Sequence, residues 1–146
     1  MVFKRTRSPY SKNVPNIHIQ QNVALAPRTT IKLGGTADQL VECVSTQDVL
    51  EALQYAKEQQ LAVHVLGGGS NTVFSDTGFR GLIIDIQLTG VDIGDDGTVS
   101  AAAGEHWDEL VALTVEKGLA GFECLSGIPG RVGATPMQNV GAYGQD

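Results

Sequence analysis

Glycine limits how this chain can fold more than any other residue, because of where it falls. The chain has 18 glycines in 146 residues, well above the usual share of about 7%, and they gather in runs. Gly67-Gly68-Gly69 follows directly on Leu61-Ala62-Val63-His64-Val65-Leu66, and seven more glycines lie in the 27 residues from 118 to 144. Glycine loses more freedom on ordering than any other residue. Clusters of it therefore mark places where the backbone must pass close to something, or turn as other residues cannot.

Between these clusters the pattern is that of a mixed α+β domain with short parallel and antiparallel strands. Leu40-Val41-Glu42-Cys43-Val44 reads as a strand. Ser45 with Asp48 three residues on resembles a capping box, and Val49, Leu50, Leu53 and Ala56 give one apolar helical face up to about Gln60. Leu61–Leu66 reads as a nearly continuous apolar strand, as expected of one covered on both faces. Leu82–Ile86 is the next strand. Ile93–Thr98 reads as a turn into a strand over Val99–Ala103. Trp107, Leu110, Val111 and Val115 form a second helical face, with Gly118 placed as its C-cap. Residues 118–143 are apolar, small and loop-like.

Length allows one compact domain. With 42% hydrophobic and 18% charged residues the composition is globular. No apolar run approaches the roughly 18 residues of a membrane span, and no apolar stretch follows the basic N-terminus as in a secretory signal. Residues 1–21, polar and carrying Pro9 and Pro15, read as a flexible extension, leaving 22–146 as the domain. The net charge of −6 hides an asymmetry: residues 1–37 carry six basic groups and no acid, the rest four basic and 16 acidic. Without an aromatic stacking platform, and with an acidic body, the basic head argues for a solvated extension and against nucleic acid.

Cys43 and Cys124 lie far apart among apolar neighbours, with no Cys/His ligand spacing. They read as small buried hydrophobes in a reducing, cytoplasmic setting, and no metal is expected. His64 reads as a core or edge histidine, His106 as a surface residue at a helix start, and His18 falls in the extension. None has a carboxylate or serine partner by spacing, so no nucleophilic triad is built.

Gly67-Gly68-Gly69-Ser70-Asn71 removes three Cβ atoms in a row, so successive N–H groups can turn towards one anion. Ser70 and Asn71 add donors without adding charge. A flexible turn between strands is the alternative. The loop is neither a P-loop, for no GxxxxGK[ST] occurs, nor a Rossmann fingerprint, for no GxGxxG opens a helix. The second segment, Leu125 to Gly144, has Arg131 as its one charge. Its small residues let backbone approach a flat ligand, and Gln138 and Asn139 offer paired donors and acceptors to a heterocycle edge. A tightly packed connection is the alternative there. Arg131 suits either a phosphate or the surface, and Tyr143 either stacking or packing.

Three blocks, "VLGGGSNTVFSDTGFRGLII", "AGEHWDELV" and "GFECLSGIPGRVGATPMQNVGAYGQD", preceded by Arg28-Thr29-Thr30-Ile31-Lys32-Leu33-Gly34-Gly35, resemble in order the UDP-N-acetylenolpyruvoylglucosamine reductase family (UDP-N-acetylmuramate dehydrogenase, MurB). The resemblance runs from about Asn22 to the last residue. It implies an FAD-binding domain of the vanillyl-alcohol-oxidase (PCMH) type. It implies that Leu66, Gly67, Gly68, Gly69, Ser70 and Asn71 wrap the FAD diphosphate. Ile128, Pro129, Gly130, Gly133 and Ala134, with Gln138, Asn139, Gly141, Ala142 and Tyr143, would line the flavin and the ribityl-adenine path. The loop has no histidine, so FAD is expected to be non-covalent.

The family's reaction is a hydride transfer. NADPH reduces FAD, and the hydride passes to the enolpyruvyl group of a UDP-sugar, yielding UDP-N-acetylmuramate for peptidoglycan, and with it cell shape and division. The family's arginine, serine and glutamate of catalysis lie beyond the "GAYG" block, so no catalytic residue is assigned in this chain. The domain is expected to be truncated at its C-terminus and inactive alone. A non-catalytic flavin- or nucleotide-binding module, or a remnant without ligand, remain the other readings.

Overall fold

The computed structural model describes residues 16–144. A four-stranded sheet, ordered β1-β2-β4-β3, is built from β1 (Ile19–Ala24), β2 (Thr36–Cys43), β3 (Val63–Leu66) and β4 (Phe79–Ile86). β1 runs antiparallel to β2, while β2 and β3 both run parallel to β4. β5 (Val91–Ile93) and β6 (Val99–Ala101) form a separate antiparallel hairpin. The α+β class with mixed strand directions is as the sequence predicts.

Alternation in β4 sets the layers, because successive strand residues face opposite sides. Leu82 and Ile84 join Val41, Cys43, Ala52 and Ala56 in a core under α1 (Thr46–Glu58). Ile83 joins Leu25, Ala37, Leu40, Leu66 and Phe74 on the other face. Asp85, two residues on from Ile83, shares that second face.

α1 starts where the sequence says it should. Ser45 Oγ accepts from the Asp48 N–H at 3.1 Å and Asp48 Oδ2 accepts from the Ser45 N–H at 2.9 Å, a reciprocal cap. It ends as Gln60 turns to φ +56° and the Leu61 N–H reaches back to the Ala56 carbonyl at 2.9 Å. α2 (Trp107–Glu116) closes the same way: Gly118, at φ +71°, donates to Val115 O, and Leu119 donates to Thr114 O. Its buried face, Trp107, Leu110 and Val111, packs with Leu125 and, around them, Val91, Val99, Ile128, Val132 and Ala142.

Four expectations are corrected. The extension does not reach residue 21: Ile17 and Ile19 pack on the α1 core, Asn16 N–H donates to Glu51 Oε2 at 3.0 Å, and β1 begins at Ile19. Only two apolar side chains one pleat apart mark this stretch in an otherwise polar run. Residues 1–15, the remainder of the extension, lie outside the described residues. β3 is not covered on both faces: it is an edge strand, and Val65 is 58% exposed. The doubly covered strand is the central β4, with Gly81 to Asp85 all buried. Cys124 is half-buried, unlike the fully buried Cys43. The segment after Gly118 is not a plain loop, for it carries short 3-10 turns at Glu123–Leu125 and Val132–Ala134.

Candidate cofactor-binding site

In open sheets, ligands sit outside the carboxyl ends of parallel strands. Here Glu42, Asp85 and Leu66 stand in one row across β2, β4 and β3, at those ends. Beyond the row opens a cleft of about 240 Å³, lined by Pro27–Thr30, Lys32, Leu66–Gly68, Asp85, Gln87 and Arg131. Leu66 lines it through its main chain, because its side chain is buried in the core.

The first glycine loop is held from both sides. Gly69, at φ +67°, presses on Arg28 so closely that a Cβ would lie 2.1 Å from the Arg28 carbonyl. Its own carbonyl accepts from the Thr30 N–H at 3.0 Å. Ser70 Oγ donates to Pro129 O at 3.2 Å, joining the first loop to the second segment. A Cβ on Gly68 would meet Gly130 Cα at 3.4 Å, and one on Gly67 would meet Arg131 Cγ at 3.6 Å. Among the described residues, none of the N–H groups of Gly68, Gly69, Ser70 and Asn71 donates a hydrogen bond. Four consecutive unpaired donors on side-chain-poor backbone are the arrangement that receives an anion.

The second segment is fastened instead. Gly130 O accepts from Trp107 N–H at 3.1 Å, Val132 N–H donates to Glu105 O at 2.9 Å, and Gly133 N–H to Ala103 O at 2.9 Å. Trp107 Nε1 donates to Leu125 O at 3.0 Å inside the core. Asp108 accepts from Ser126 Oγ at 2.8 Å and Gly127 N–H at 2.7 Å. The Gly127 bond, with that of Ser126, holds the Asp108 carboxyl below the usual range.

A polar chain crosses the base of the cleft. Arg28 pairs with Asp85 Oδ2 at 2.5 Å and Glu42 Oε1 at 2.7 Å. Gln87 Nε2 donates to Asp85 Oδ1 at 2.8 Å, and Gln87 Oε1 accepts from Arg131 Nη2 at 3.2 Å. Arg131 Nη1 donates to Gly104 O, and Arg131 Nε is buried without a partner among the described residues. Burial holds the Asp85 carboxyl above the ordinary range, against the opposing bonds from Gln87 and Arg28.

The expected residues divide. Gly67, Gly68, Gly69, Ser70, Pro129, Gly130 and Ala134 are brought together, with Gln138 Nε2 3.8 Å from where a Gly130 Cβ would stand. Ile128 and Ala142 lean on the α2 cluster, and Gly133 abuts Ala103. Asn71, Asn139 and Gly141 are exposed, and Tyr143, 92% exposed, neither stacks nor packs among the described residues. Arg28, Thr30, Lys32, Asp85 and Gln87 line the cleft but fall outside the residues picked from sequence. The available signal was a lone acid, Asp85, inside the aliphatic run Leu82–Ile86.

His64 and Cys43 are both held away from the cleft's chemistry by burial. His64 lies edge-on to Phe74 at 5.1 Å, its Nε2 buried without a hydrogen-bond partner among the described residues, and burial lowers its pKa. The Cys43 thiol is pushed up to about 11, mainly by burial. A larger open cavity of about 500 Å³ lies between the β5–β6 turn and α2, lined by Val91, Ile93, Leu113 and Lys117 among others. It holds none of the glycine-loop residues.

The loop beside the cleft offers bare backbone donors to an anion. Residues 37–146 match the FAD binding domain model, and the chain belongs to that family. It is 50% identical over 133 residues to a UDP-N-acetylenolpyruvoylglucosamine reductase of Streptomyces avermitilis, an alignment covering 89% of this chain and 36% of that one. To the namesake of Nocardia farcinica it is 47% identical over 126 residues, 86% of this chain and 32% of the relative. The crystal structure of UDP-N-acetylenolpyruvylglucosamine reductase (MurB) from Thermus caldophilus superposes with a TM-score of 0.68 at 27% identity, covering 88% of this chain and 45% of that one. The resemblance read from the sequence is borne out, as is FAD as the cofactor. The chain spans about a third of the length of these curated relatives.

Proposed function

We propose that this chain supplies the FAD-binding part of a cytoplasmic UDP-N-acetylenolpyruvoylglucosamine reductase, which uses NADPH to convert the enolpyruvyl UDP-sugar to UDP-N-acetylmuramate for peptidoglycan. One observation carries the reading: the unpaired N–H groups from Gly68 to Asn71 at the carboxyl ends of the parallel strands. Bound there, the flavin would supply the relay of hydride from NADPH to the enolpyruvyl double bond.

The chain's own residues bind and orient. Gly67 to Asn71 hold the diphosphate through backbone donors, which lets an acidic chain attract an anion without a lysine. Gly130 and Gly68 approach so closely that side chains on either would narrow the passage. Ala134 and Gln138 stand beside them for the rest of the cofactor, and Ile128, Gly133, Asn139, Gly141, Ala142 and Tyr143 extend the path. Without a histidine in the loop, the attachment is non-covalent. The proton donor and the group that polarises the substrate carboxylate belong to the longer reductase and not to residues 1–146.

The purified chain mixed with NADPH, FAD and the enolpyruvyl UDP-sugar is expected to show the absorption of bound flavin and no turnover. Turnover matching a full-length relative would overturn the division of labour. Absence of any bound flavin would overturn the reading itself.

A further inference from the structure

Three cations line the cleft, and they are not equivalent. Arg28 is neutralised by Asp85 and Glu42. Lys32 is exposed, and among the described residues its Nζ bonds to the Pro27 carbonyl alone, at 3.2 Å. Of the three, Arg131 is both held and uncompensated: among the described residues its guanidinium donates to Gly104 O and Gln87 Oε1, which are neutral oxygens. A guanidinium carries five N–H donors, so donors remain for a ligand, and the whole positive charge remains with them. The Cγ of this same side chain stands 3.6 Å from where a Cβ of Gly67 would be, beside the row of unpaired N–H groups.

The orientation of Arg131 has a cause two residues removed. Asp85 Oδ1 accepts from Gln87 Nε2 at 2.8 Å. An ionised carboxylate only accepts, so it selects the amide flip that turns Gln87 Oε1 to Arg131. Asp85 is itself fixed by Arg28 and is buried, so leaving its charge unpaired would be costly.

We propose that Arg131 is an anion-binding residue of this cleft, set in place by the Asp85–Gln87 pair, and that it takes the diphosphate of the dinucleotide opposite the Gly68–Asn71 N–H groups. The proposal rests on the FAD reading above and names the side chain that gives it charge. A cation fixed by neutral acceptors needs no rearrangement to meet a diphosphate, whereas a free lysine must be ordered first. Gln87 acts through Arg131 and is a positioning residue.

The test compares FAD with riboflavin, which has the same ring and no phosphate, by titration into the full chain. Arg131→Met keeps the aliphatic stem and removes the charge. It is expected to weaken FAD about tenfold or more, the scale of a lost charge-assisted bond, while riboflavin affinity stays the same. Gln87→Met is expected to move the FAD to riboflavin ratio in the same direction by a smaller factor, and Arg131→Lys to restore part of it. Equal losses for both ligands, or no loss of FAD affinity, would overturn the role of Arg131. Gly68→Asp separates the two layers of argument. FAD affinity lost there but intact in Arg131→Met refutes Arg131 alone. Affinity intact in Gly68→Asp, or no FAD bound by the unaltered chain, refutes the cleft reading together with it.

Discussion

The two glycine-rich segments are alike in composition and opposite in state. The loop after β3 leaves four successive N–H groups without partners among the described residues. The segment after α2 hands its backbone groups to Trp107, Glu105 and Ala103, and is tied down further by Asp108. In the first, small residues leave the backbone donors bare. In the second they let the chain lie against α2 and the β5–β6 hairpin. Glycine content therefore does not distinguish the two segments; the state of their backbone donors does. The two meet at Gly68 and Gly130, where the packed segment forms a wall for the open one.

That contrast breaks most sharply by removing what fastens the second segment. Trp107→Ala deletes a buried ring and its bond to Leu125 O, and is expected to cost about 3–5 kcal/mol in a denaturant titration. A value near that of a surface substitution would mean that the segment does not depend on α2. Gly69→Ala comes next: a left-handed φ and a Cβ 2.1 Å from Arg28 O predict a loss of about 3 kcal/mol, read from the same titration.

Gly68→Asp sharpens the comparison by separating binding from stability. Its Cβ has room at 3.4 Å, so stability should hold within about 1 kcal/mol. A carboxylate facing the diphosphate should abolish flavin uptake, which fluorescence titration reads. The smallest effect belongs to Asp108→Asn. The Asp108 carboxyl is depressed in the fold by Gly127 N–H and Ser126. Its stabilisation is therefore present above the ordinary carboxylate range and fades as pH falls through the depressed value. Thermal melts should show a small deficit for the variant at neutral pH that shrinks in acid. A deficit that grows in acid would contradict the assignment.

Local signals were legible and pairings were not. The Ser45–Asp48 cap, the β5–β6 turn and Gly118 after α2 depend on neighbours in the chain, and the sequence locates all three. β1 hides because an edge strand with a solvated face needs few apolar residues. The run Leu61–Leu66 does not reveal that only one strand lies beside it, since strand order is a long-range property. At the site, the backbone loops stand out through their glycines. The Asp85–Gln87–Arg131 chain does not, because Gln87 and Arg131 meet across 44 residues, and nothing local distinguishes that arginine from a surface one.

The central claim is that bare backbone at the ends of the parallel strands holds the dinucleotide diphosphate. Amide NMR shifts of the isotope-labelled chain on addition of FAD test it most directly. The account predicts that the largest shifts fall on Gly68, Gly69, Ser70 and Asn71, with Thr30 beside them. Shifts centred on the cavity of Asp95, Gly97 and Lys117, with the loop after β3 unmoved, would contradict it.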